Sequence, residues 1–182
     1  SISAACQQPP SAEVGERSAL TSAGLYNPTY YLLVGWPTLL EQGPIVMVMG
    51  MRILTALLSA VLLASVFSVM SRMMSSLAAL TVLAVAATPM VFFLNAIVNP
   101  NGLEILGGAA FLTGLLWFVS APNVRGKVAL LPAVMIAVGG FLGGNARGVS
   151  PFWMFLFGVL FLIAVSRDRL KELLRAPGFL VG

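Results

Sequence analysis

Between residues 45 and 165 the chain is five apolar runs parted only by short polar breaks, a pattern that leaves a bilayer as the one solvent in which most of its side chains can rest. The runs cover 45–70, 73–94, 103–119, 128–142 and 151–165, and each is read as one crossing, since about 20 residues traverse a hydrocarbon core of about 30 Å. Of the 182 residues 59 % are hydrophobic and 9 % charged, whereas soluble domains carry about a quarter charged residues. The fold class expected is all-α: a polytopic transmembrane helix bundle of about five spanning helices.

Three segments are expected. Residues 1–44 form an extracytoplasmic loop ending in a short interfacial helix at about 28–36. There Tyr26, Tyr30, Tyr31 and Trp36 suit the headgroup layer, and Pro28, Pro37 and Pro44 forbid one continuous span. Residues 45–166 form the bundle. Residues 167–182 form a tail, with Leu170, Leu173 and Leu174 on one helical face, that lies along the membrane surface.

The stretch 88–106 is the tip of a membrane hairpin. Pro89 predicts a kink in the second span, and Pro100 cannot continue the incoming helix. Asn101 followed by Glu104 has the spacing of a capping box for the outgoing helix. Ser150-Pro151 reads as a cap and first helical residue for the fifth span. Gly139, Gly140, Gly143 and Gly144 form two overlapping Gly-xxx-Gly pairs, which let a neighbouring backbone come close.

A net charge of +4 does not point to nucleic acid, because the basic residues lie between apolar runs and form no stripe. With alternating spans, Arg72, Arg125, Lys127, Arg167, Arg169, Lys171 and Arg175 fall on one side and Arg17, Arg52 and Arg147 on the other. The first side is expected to be cytoplasmic. The N-terminal loop, the 99–104 tip and the 145–150 loop then share the extracytoplasmic face. There is no histidine, and Cys6 is the single cysteine, so zinc and haem sites built on those ligands are set aside. No acidic residue sits at mid-depth in a span, which argues against a proton-coupled pump or an ion channel.

The candidate site residues therefore gather at one surface. Asn99, Asn101 and Glu104 offer oxygens that suit a sugar or a divalent cation, although capping alone accounts for Asn101 and Glu104. Arg52 interrupts the first span near its start, at the water boundary. Its guanidinium suits a lipid-linked phosphate and equally an interfacial anchor. Arg147 is similar, within a glycine-rich loop whose amides could face an anion. Glu13 and Glu16 read as solvated charges.

Three stretches, 26–37 (YNPTYYLLVGWP), 51–59 (MRILTALLS) and 88–104 (TPMVFFLNAIVNPNGLE), resemble in order and spacing the bacterial membrane proteins grouped as domain of unknown function 2142. That family is similar to the GT-C glycosyltransferases, which take a sugar from a polyprenyl-phosphate donor outside the cytoplasmic membrane. The resemblance implies a cell-envelope glycosyltransferase, with the donor, a glycan acceptor and membrane lipid as partners and a bacterial cytoplasmic membrane location. The usual base of that class, an acid just after the first membrane helix, matches no residue of this chain. The polar start at Ser1 and the helix-like approach at 176–182 predict a piece of a larger protein. The alternatives are a non-catalytic scaffold packing through Gly139 to Gly144 against a partner, and a transporter of a lipid-linked precursor lined by Arg52 and Arg147.

Overall fold

The structure is a computed structural model that describes residues 27–40, 43–121 and 126–175; Cys6, Glu13, Glu16, Arg17, Glu41 and Arg125 lie outside them. Every regular element in the described residues is helical. They are α1 (Thr29–Val34), a 3-10 turn (Trp36–Leu40), α2 (Pro44–Met73), α3 (Ser76–Ala86), α4 (Pro89–Ala96), α5 (Pro100–Ser120), a 3-10 turn (Gly126–Ala129), α6 (Leu130–Gly144), α7 (Ser150–Ala164) and α8 (Arg167–Arg175).

These helices make five passes between two ends. At one end Arg52 meets the last turn of α4 and Glu104 meets the loop before α7. At the other, Arg72 of α2 donates to the Val128 carbonyl at 3.4 Å, and Arg169 of α8 donates to the carbonyls of Phe118 at 3.0 Å and of Ala121. Arg169 thus closes the C-terminus of α5, where unpaired carbonyls attract a cation. The tail helix turns away from α7 by 115° and packs Leu173 against the core.

The passes are less uniform than five equal spans. α2 and α5 are each long and apolar enough to cross a membrane; counting each bent pair as one span raises the number to four. α6 and α7, at about 1.5 Å per residue, measure roughly 22 Å each. A Pro132 without an amide hydrogen and a π turn over Met135–Gly139 interrupt the regular α pattern of α6. The second span is a break, not a kink. Pro89 cannot extend α3, Thr88 is extended (ψ 160°), and its hydroxyl accepts the Val91 amide, so α4 starts afresh at 76° to α3.

Two caps differ from the expected ones. Asn99, not Asn101, caps α5: its side chain accepts the Asn101 amide at 2.9 Å, and Pro100 takes the first helical position, where a missing N–H costs nothing. Glu104 is therefore no part of a capping box. At α7 the cap position is Val149, whose apolar side chain makes no capping bond, and Ser150 takes the first helical position with its hydroxyl on Glu104.

α5 is the central helix. Of its most apolar stretch 56 % is buried, against 22 % for α2, and α2, α4, α6 and α7 all pack on it. The outer face of α2 leaves Ile53, Leu57 and Val61 about three-fifths exposed, a patch suited to lipid. The Gly-xxx-Gly residues are used inside the chain. A Cβ on Gly107 of α5 would lie 2.7 Å from the Gly143 nitrogen and 3.0 Å from the Gly139 carbonyl oxygen, so the two backbones touch directly.

α1 is docked by a directed chain of hydrogen bonds. The Asn99 amide donates to the Tyr30 hydroxyl at 2.9 Å, and that oxygen lies 2.9 Å from the Thr55 hydroxyl, which itself donates to the Met51 carbonyl. Because the Thr55 proton is committed to Met51, Tyr30 is the donor to Thr55. Tyr30 is fully buried, and burial raises its phenol above the ordinary 10.0, partly opposed by the bond from the Asn99 amide.

Two predictions follow from this packing. Gly107→Val should cost at least about 1–3 kcal/mol and lower the thermal midpoint in detergent, while Gly158→Ala, mid-helix with open space around its Cβ, should keep or raise it. Equal midpoints for both variants would show that α5 and α6 are not in backbone contact. Tyr30→Phe should cost roughly 1 kcal/mol near neutral pH. With the folded pKa raised, the neutral phenol's contribution is complete below about pH 10 and declines as pH rises through the folded value, so the gap between wild type and variant should narrow on titration to about pH 11.

Candidate polar site at the head of the bundle

The second turn of α5 and the loop between α6 and α7 bring Glu104 and Arg147 together. Glu104 Oε1 accepts from the Ser150 hydroxyl at 2.8 Å, and Glu104 Oε2 lies 3.9 Å from Arg147 Nη1. Ser150 is fully buried, and its hydroxyl oxygen also accepts the Arg147 amide at 3.0 Å. One serine therefore ties the carboxylate of α5 to the backbone of the loop that carries the arginine. The Glu104 side chain is 17 % exposed and that of Arg147 40 %, so the pair is open at its cationic side and its Coulomb attraction is modest.

The loop is not an open anion cradle. The amides of Asn145 and Ala146 donate to the carbonyls of Phe141 and Gly143, and that of Arg147 goes to Ser150. Asn145 also donates through Nδ2 to the Phe141 carbonyl and accepts from Asn27 Nδ2 at 3.0 Å, which draws the segment before α1 to the same end. The charged side chains of this group are the Arg147 guanidinium and the Glu104 carboxylate, the latter with lone pairs to spare.

Below Glu104 a groove of about 350 Å³ runs between α5 and α7, lined by Ile105, Gly108, Ala109, Trp153, Met154 and Phe157. Gly108 keeps it open: a Cβ there would approach Met154 and Phe157 to 3.3 Å. A polar head joined to an apolar channel is the shape of an amphiphile.

Of the other residues singled out in the sequence, Asn99 and Asn101 are bound to each other as cap and capped amide. Arg52 lies in α2 at the same end and donates from Nε to the Ala96 carbonyl at 2.9 Å, closing the last turn of α4. No three of His, Cys, Asp and Glu come together among the described residues. The Glu104 group supplies one carboxylate with a guanidinium beside it, a donor set ill suited to a divalent cation.

Ser150 was legible only as a helix cap. Its bond to Glu104 joins residues 46 apart, and no local pattern announces it. Trp153 and Phe157, four residues apart, signal one helical face, but not that the face opposes Glu104.

A family model described as "Predicted membrane protein (DUF2142)" covers residues 2–181, and no curated protein or solved structure matches. The helical membrane architecture and the match over nearly the whole chain agree, and the chain belongs to the DUF2142 family of predicted membrane proteins.

Proposed function

We propose that the chain is part of a membrane glycosyltransferase that uses a polyprenyl-phosphate-linked sugar in cell-envelope glycan assembly. The observation that carries this reading is Glu104, held by Ser150 beside Arg147 at the head of the apolar groove between α5 and α7. Arg147 suits the phosphate of such a donor, and the free lone pairs of Glu104 suit sugar hydroxyls. The groove walls suit the start of the isoprenoid chain.

The same reading places the protein in a bacterial cytoplasmic membrane, with the Glu104 end extracytoplasmic. The support is the distribution of basic residues, which resist translocation. The scaffold alternative loses its expected interface, because Gly139 and Gly143 already face Gly107 within the chain.

Glu104→Gln and Arg147→Gln should each lower sugar transfer from a polyprenyl-phosphate donor at least about tenfold in purified, reconstituted protein. Ser150→Ala should do so more mildly, since it frees the carboxylate without removing it. Full transfer by both charge variants would remove the site; no transfer by the wild type with any donor of this class would remove the function.

A further inference from the structure

A second groove, between α2 and α4, encloses about 260 Å³ and is separate from the Glu104 group. It is lined by Ala56, Ala60 and Leu63 of α2, Val91 and Phe92 of α4, and Leu106 of α5. Positions 52, 56, 60 and 63 share one helical face, so Arg52 stands one turn, about 6 Å, beyond the groove's first alanine. Its Nε is fixed by the Ala96 carbonyl, and Ala96 itself lines the groove. That leaves the two amino groups of the guanidinium for another acceptor. The ion pairs among the described residues are Glu104 with Arg147, Arg169 with Glu172 and Lys171 with Asp168; none includes Arg52.

We infer that this groove holds an anionic glycerophospholipid of the bilayer, with its phosphate on Arg52 and one acyl chain along the alanine face of α2. The guanidinium at the mouth of an apolar groove meets a phosphate bidentately and gains a counter-charge there. The choice of lipid rests on a polar pair in the wall. Ser59 donates to Asn95 Oδ1 at 2.7 Å, and Asn95 directs one amide hydrogen to the Val91 carbonyl at 2.7 Å, keeping a second. Both residues line the groove, and Asn95 is next in sequence to Ala96. A glycerophospholipid offers ester carbonyls just below its phosphate. An isoprenoid phosphate offers only hydrocarbon there, which leaves the pair without an acceptor. The inference stands independently of the glycosyltransferase reading, which uses the other groove.

Native mass spectrometry of the purified protein with added phosphatidylglycerol, diacylglycerol or a long-chain polyprenyl phosphate tests it. Wild type should bind phosphatidylglycerol at least about tenfold more tightly than diacylglycerol, and Arg52→Gln should abolish that preference. Ala60→Phe, which narrows the groove and leaves Arg52 in place, should weaken phosphatidylglycerol binding as well. Unchanged binding in Arg52→Gln, with elution on size exclusion like the wild type, would overturn the inference. Displacement of phosphatidylglycerol by an equal concentration of the polyprenyl phosphate would overturn the choice of lipid.

Discussion

The close approach of α5 and α6 is the contact on which the polar end depends. In lipid there is little hydrophobic force between helices, so association rests on packing and on polar bonds. Glycine at 107, 139 and 143 removes the side chains that would hold the two backbones apart, and the carbonyl and amide groups come within van der Waals range. Gly107 lies one turn below Glu104 on α5, and Gly143 lies just before the loop that carries Arg147. Fixing 107 against 143 therefore sets the height at which Arg147 and Ser150 meet the carboxylate. A bulkier residue in that stripe would disturb the site by displacing the loop, without touching any of its polar atoms.

The break between α3 and α4 does corresponding work on the other side. A straight second span would carry Val91, Phe92 and Asn95 along the line of α3. With Thr88 capping a new helix at 76° to α3, α4 packs on α2, and the space between them forms the apolar groove. Gly102 allows the turn to close, since a Cβ there would sit 2.6 Å from Asn95 Oδ1. Asn95 can thus be buried at the helix crossing with its oxygen paired to Ser59 and one amide hydrogen to the Val91 carbonyl, bonds that make a polar group tolerable at that depth.

Hydropathy made the bundle and the order of its passes legible, because the apolar period and the prolines act locally. Partner choice was not legible. The stripe 139–144 announced a close approach but not that Gly107 would be its counterpart. The Arg169 closure of α5 and the Tyr30 chain to Asn99 join residues 48 to 69 apart, a separation at which no local pattern operates. The bounds of α6 and α7 lie within two residues of the apolar runs 128–142 and 151–165, but counting apolar residues does not reveal the π turn in the first.

The capping error shows which residues at such a tip are free to act on a ligand. Asn101 and Glu104 have the spacing of a reciprocal cap, but Pro100 moves the helix start upstream by presenting its own preset φ at the first helical position, and Asn99 then takes the cap. The Asn99 side-chain oxygen and the Asn101 backbone amide are paired with each other in this cap. Glu104, outside that role, is held instead by a serine from another helix and lies beside Arg147, and its carboxylate keeps lone pairs beyond those contacts. In a tip rich in asparagine and acid, the residue to follow is the one whose partner is far away in sequence, because only tertiary structure, not helix formation, accounts for its place.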